Sequence, residues 1–122
     1  MIIQESGENY LETILMLQKQ KGSVRSIDVA GALNFSKASI SRAMSILRRE
    51  NYIIMEPDGN IVLTERGLAK ARSVLERHIV ITDFLEKFLG VDHETAARDA
   101  CRIEHVITQE TFDRIKAKVQ KL

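Results

Sequence analysis

A single cysteine, a single proline and a net charge of only +1 among 122 residues set the first limits. One cysteine cannot close an internal disulfide, so Cys101 is a core thiol, a reactive thiol or a metal ligand in a reducing compartment. Long apolar runs are absent as well. The longest, such as YIIM at 52–55, are far too short to span a bilayer, and the N-terminus lacks the basic flank and apolar region of a signal peptide. The expectation is a soluble, cytoplasmic chain with no membrane partner. A charge of +1 gives no global pull toward nucleic acid, so any such binding must come from a local patch. There is no internal repeat and no low-complexity tract. What is present, 44% hydrophobic and 29% charged residues, suffices for one ordinary core or two small domains, and excludes a disordered chain.

The apolar spacing predicts helices with one break. Tyr10, Leu11, Ile14, Leu15 and Leu17 follow helical periodicity from Glu8 to Gln20, with Ser6 as cap and Gly22 as stop. Ser26 caps a short segment from Ile27 to Leu33. Ser36 then caps another reaching about Glu50, with Ile40, Ala43, Met44 and Leu47 as its apolar stripe. Two short helices joined by a tight turn read as a helix-turn-helix. Behind them, YIIMEPDGNIVLT carries two β-branched runs around Pro57, Asp58, Gly59 and Asn60, a hairpin signal in the position of a wing. Thr64 caps a long helix from Glu65 to Leu89, stopped by Gly90. Asp92 starts another running to about Val106 or Ile107, and Thr108 opens a last one to the C-terminus. The predicted class is mainly α: a winged helix-turn-helix DNA-binding domain over residues 1–70, then an all-helical dimerisation domain over 71–122. Three helices after the wing exceed what a winged helix needs to close its core, and their surplus apolar surface points to a homodimer.

The DNA-binding expectation rests on SKASISRAMSILRRE at 36–50. Ser36, Lys37, Ser39, Ser41 and Arg42 occupy its first two turns, where a recognition helix meets base edges and phosphates. Lys37, Arg42, Arg48 and Arg49 against Glu50 alone give the segment a net +3 within a chain of +1, so the basic charge is local. The same charges also fit a solvated helix face; the flanking capped helix and wing favour double-stranded DNA. On a two-fold dimer, two such helices would enter successive major grooves about 34 Å apart, which calls for a palindromic operator.

DACRIEHVIT at 99–108 holds the second chemical signal. Cys101, Glu104 and His105 stand at i, i+3 and i+4, so a helix projects them from one face. Thiolate, carboxylate and imidazole make a donor set for a divalent transition metal, and the soft sulfur disfavours magnesium and calcium. A buried cysteine with a satisfied histidine one turn away has the same spacing. A Cys-His nucleophilic dyad is formally available too, but no glycine-rich oxyanion loop or third orienting group accompanies it, so an enzyme is the least favoured class.

Taken together, NYLETILML, SKASISRAMSILRRENYI, IVLTERG, ERHIVITDFLEKFLGV and DACRIEHVIT make nearly the whole chain resemble the iron-dependent repressor family, of the diphtheria toxin repressor and manganese transport regulator type, in its short two-domain form. The resemblance implies a metal-dependent repressor of metal-uptake genes that binds operator DNA as a dimer when loaded with Fe(II) or Mn(II). Cys101, Glu104 and His105 match the primary metal site. Cys101 stands where the iron-responsive branch has cysteine and the manganese branch glutamate, which favours Fe(II) and leaves Mn(II) open. His78 matches a histidine ligand of both branches, and Glu12 a carboxylate ligand of the manganese branch. Asn9 departs from the methionine or aspartate of the branches and is left out of the site. Thr82 and Ala97 replace a carboxylate and a histidine of the iron branch's ancillary site. His93 matches no family ligand and reads as solvent-facing.

The implied mechanism is a linkage. Ligands from the first helix and from residues 78–105 can share one ion only in one relative placement of the two domains, so metal favours the DNA-binding state and DNA tightens metal binding equally. Cysteine must be deprotonated and histidine neutral to ligate, so activation should weaken as pH falls. The alternatives are a winged-helix regulator sensing oxidants through Cys101 or a small effector without a metal co-repressor, and a protein-interaction module using the helical half.

Overall fold

The computed structural model describes residues 5–121; the first four positions of the expected DNA-binding domain and the last of the helical one lie outside them. The chain divides into two compact units, residues 1–72 and 73–122.

In the first unit, α1 (Glu5–Lys21), α2 (Ser26–Leu33) and α3 (Lys37–Arg49) are followed by β1 (Ile53–Met55), β2 (Ile61–Leu63) and the opening turns of α4 (Glu65–Leu89). Ser6 lies inside α1 instead of capping it: nothing from Ser6 to Asn9 forbids helix, and Glu8 near the amino end favours it through the dipole. Gly22 stops α1 as expected, at φ +85°, with its N–H donating to Gln18 O. The cap of α2 is Arg25, one residue earlier than Ser26. Asp28 at the third helical position reaches back and accepts the Arg25 backbone N–H at 2.8 Å, so the helix gains its first residue. Asn34 ends α2 in the left-handed region at φ 58°, and Phe35 packs edge-on against Tyr10 of α1 at 6.2 Å. Leu11, Ile14, Val24, Val29, Ile40, Met44, Ile53 and Ile61 are buried at the core.

The strands pair antiparallel with Ile54 opposite Val62, and the hairpin is tied back to the loop after α1: Ile61 N–H donates to Val24 O at 2.7 Å, and Val24 N–H to Asn60 Oδ1 at 3.0 Å. Helix-turn-helix and hairpin together make a winged helix. Thr64 caps α4, accepting from Gly67 N–H, while its own hydroxyl donates to Asn51 O at 2.7 Å. Gly67 is obligatory at this junction: a Cβ there would sit 2.0 Å from Tyr52 O. Arg66 locks the same corner, donating to Glu50 O and Tyr52 Oη and lying over the Tyr52 ring at 4.2 Å.

The second unit holds the rest of α4, then α5 (His93–Ile103) and α6 (Gln109–Gln120). Asp92 and Thr108 cap the last two, each accepting a backbone N–H three residues on. Ile81, Ala100 and Phe112 form its core, with Val80, Leu85, Ile103 and Ile107 packed around them. Helix α5 ends at Ile103, short of the expected Val106 or Ile107. The cap of α6 explains the difference: Thr108 must be extended, at ψ 159°, so the chain has to leave the helix through a turn before it.

Candidate metal centre and nucleic-acid interface

On α3 the apolar stripe Ile40, Met44 and Leu47 is buried, which turns the opposite face outward. Ser36 is the cap: its Oγ accepts Ser39 N–H at 3.2 Å and donates to Ser39 Oγ at 3.0 Å. Both hydroxyls are thereby occupied in holding the helix start. Lys37, Ser41 and Arg42 are exposed, and so are Ala38 and Ser45. Ala38, Ser41, Arg42 and Ser45 stand at i, i+3, i+4 and i+7, one continuous outward stripe. Ala38 and Ser45 are the members that sequence reasoning misses, though their spacing from Ser41 and Arg42 carries the signal. Arg48 and Arg49, also exposed, keep the far end of the helix basic.

In the second unit, the candidate ligands come from two elements. Cys101 is on the last turns of α5 and exposed; Glu104 is the helix's C-cap, still αR at φ −56°, and fully buried; His105 is in the turn after it, with its side chain 3% exposed. Of the three residues expected on one helical face, Glu104 and His105 bury their side chains together just past the helix end, whereas Cys101, still on the helix, is exposed. His78 comes from α4, where Thr82 one turn on donates its hydroxyl to His78 O. Its Nδ1 lies 2.9 Å from Glu104 Oε2. Glu12, on α1 of the first unit, is buried at 6% exposure, and Asn9 is half-buried. His93 is exposed, with Nδ1 3.2 Å from Glu86 Oε1.

Glu104 is the centre of the chemistry. A carboxylate at 0% exposure has lost its hydration, a cost of several kcal/mol unless partners replace the water (on the order of the effective penalty for a buried ion). Oε2 has the His78 ring N–H as its donor. Oε1 is buried with no hydrogen-bond partner: His105 Nε2 is 3.2 Å away, inside ion-pair range, but is not oriented to hydrogen-bond to it. A buried anionic oxygen left unsatisfied beside an imidazole nitrogen calls for a cation. A divalent metal fits these atoms. Glu104 Oε1 and the His105 ring would supply an oxygen and a nitrogen donor, and an ionised Glu104 facing His78 Nδ1 at 2.9 Å would hold that ring's proton on Nδ1, the carboxylate–histidine pairing that orients a ligating imidazole.

No helix among the described residues is long and apolar enough to cross a membrane. Comparison with known proteins places both units. Residues 3–61 match the iron dependent repressor N-terminal DNA binding domain, and residues 64–122 match the iron dependent repressor metal binding and dimerisation domain. A helix-turn-helix transcriptional regulator of Methanocaldococcus jannaschii is 34% identical over 118 residues, covering 96% of this chain and 94% of that protein. The regulator MntR of Bacillus subtilis is 35% identical over 115 residues, covering 94% and 80%. Among solved structures, the IdeR of T. acidophilum superposes with a TM-score of 0.82 at 26% identity over 93% of this chain. The manganese regulator SloR shares the fold, with a TM-score of 0.83 at 20% identity over the whole chain. The chain spans 53% of the first of these solved chains and 56% of the second. These are families of DNA-binding regulators, not enzymes. With residues 3–61 and 64–122 matching its two domains, and a relative 35% identical over 94% of this chain, this chain belongs to the iron dependent repressor family.

Proposed function

We propose that this chain is a cytoplasmic, metal-dependent repressor that binds palindromic operator DNA as a homodimer and controls metal-uptake genes. The observation that carries the metal half is the orphaned, fully buried Glu104 Oε1 beside His105. Glu104, His105 and His78 form the heart of the proposed site. Glu12 and Cys101 are included on their match to family ligand positions. Bound there, a divalent ion supplies positive charge to a buried carboxylate; Fe(II) is favoured by Cys101, and Mn(II) is the second candidate, the metal that SloR's description names.

The DNA half is carried by the exposed residues at the start of α3, with Lys37 and Arg42 on phosphates and base edges and Ser41 beside them; Ser36 and Ser39 hold the helix start from which these side chains project. In this reading metal binding and DNA binding are linked, each strengthening the other, with a coupling on the order of 5- to 150-fold. The test is selection of duplexes from a random pool by the Mn(II)- or Fe(II)-loaded protein, then binding of the selected duplex before and after thorough chelation. A palindromic consensus whose affinity falls at least about fivefold on chelation supports the proposal. Equal affinity in both conditions rejects the co-repressor role.

A further inference from the structure

Helix α5 ends at Ile103, and the carbonyls that follow have no helical N–H to meet. Two of them are met by one side chain. Arg77 of α4 donates through Nη1 to Glu104 O at 3.1 Å and to Ile107 O at 3.0 Å, and through Nη2 to Gln109 Oε1 at 2.9 Å. Its guanidinium also lies 5.4 Å from the centre of the buried Phe112 ring. From these contacts we infer that Arg77 is a positioning residue for the metal centre: it sets the turn that carries Glu104 and His105. The inference rests on the metal-binding reading above.

Arg77 precedes His78 in sequence, so neighbouring residues of one helix take hold of residue 104 at both ends, Arg77 at its backbone oxygen and His78 at its carboxylate. Within itself the turn is closed by Val106 and Ile107 N–H donating to Ile103 O. Those bonds fix the turn's shape but tie it to no other element. Arg77 ties the backbone of the turn to α4, and through Gln109 extends the tie to the first residue of α6. A planar fork suits this arrangement, since it meets three acceptors at fixed angles, which the compact ammonium of lysine does not reproduce. With the turn released, Glu104 Oε1 and His105 would no longer be held 3.2 Å apart before an ion arrives. Outer-shell partners of metal ligands typically contribute about 10- to 100-fold in metal affinity, and that is the loss expected for Arg77→Met.

The test uses the full chain, with Mn(II) as probe and four proteins: wild type, Arg77→Met, Arg77→Lys and Asp92→Ala. The last removes the acceptor for Thr95 N–H at the other end of α5 and so destabilises the same unit away from the turn. Hydrogen exchange at the Val106 and Ile107 amides is measured on the metal-free proteins, and Mn(II) affinity and thermal midpoint on each. The expected result is faster exchange and about 10- to 100-fold weaker Mn(II) binding in Arg77→Met, a smaller loss in Arg77→Lys, and wild-type affinity in Asp92→Ala despite its lowered midpoint. Should Arg77→Met not fold, Arg77→Lys carries the comparison. Wild-type Mn(II) affinity in the arginine variants, or unchanged exchange, overturns the inference. If the wild type takes up neither Mn(II) nor, under anaerobic conditions, Fe(II), the metal reading fails, and with it the positioning role at the proposed metal site; the exchange data then show separately whether Arg77 orders the turn.

Discussion

At the level of single residues, individual charges are held in place by specific partners. Asp28 is the clearest case outside the proposed metal site. The Lys21 side chain donating to its carboxyl, and then the Arg25 backbone N–H, hold it below its ordinary value of 3.8. A carboxyl depressed in the folded state adds stability above its unfolded value, and that increment is lost as pH falls through the lower folded value. Asp28→Asn should therefore be less stable than wild type by a constant margin above about pH 5, with the margin closing below about pH 4. Denaturant unfolding at a series of pH values measures this, and a margin that persists at about pH 2 would show that the charge is not its source. As proposed ligands, Glu104 and His105 can be read from the sequence through their spacing, and His78 only through family resemblance. The exposure of Cys101 is not, because it depends on where α5 stops, and that is decided by the cap of the following helix. Arg77 is invisible there for a related reason: two of its acceptors are backbone oxygens, whose positions no side-chain pattern encodes.

Among the elements, the junctions carry the specificity of the fold, and caps make most of them readable. Gly22 and Gly90 as stops, Ser36, Thr64, Asp92 and Thr108 as caps, and the hairpin tip at 57–60 all fall where turn chemistry placed them. The two misplaced starts have local causes. Asp28 pulls the cap of α2 back to Arg25, and no residue near Ser6 halts α1. Ser36→Ala removes the acceptor for Ser39 N–H and should cost about 1 kcal/mol. It should also weaken DNA binding, with Ser36→Asp recovering the stability but not the binding, since a new anion faces phosphate. If Ser36→Asp binds duplex as well as wild type, the start of α3 is not near the DNA backbone. At the α4 junction, Gly67→Ala gains helix propensity of at most about 1 kcal/mol but drives a methyl to 2.0 Å from Tyr52 O. The clash is with backbone and cannot be relieved by a rotamer, so net destabilisation of roughly 1–3 kcal/mol is expected in thermal or denaturant unfolding. Stabilisation by this substitution would mean that the Thr64–Gly67 corner is looser than described.

For the whole molecule, two kinds of chemistry stand on one chain: a winged helix whose α3 exposes Lys37, Arg42, Arg48 and Arg49, and a helical unit that holds a buried carboxylate at Glu104. Composition alone points to neither, since a net charge of +1 conceals the local +3 of residues 36–50. Lys37→Gln should lower the salt dependence of operator binding by about one unit of slope across all sequences, while Arg42→Gln should relax preference at particular base pairs. Identical slopes for Lys37→Gln and wild type would remove Lys37 from the phosphate contacts. In the proposed switch Glu104, buried and unsatisfied at Oε1, is a metal ligand. Glu104→Gln keeps the side chain's shape and removes its charge, so the decisive measurement is an anaerobic Mn(II) titration of the two proteins, followed by the loss of the free-ion magnetic resonance signal. Stoichiometric uptake by the wild type and a large loss of affinity in Glu104→Gln without loss of folding are the predicted result; equal uptake by both proteins would contradict it.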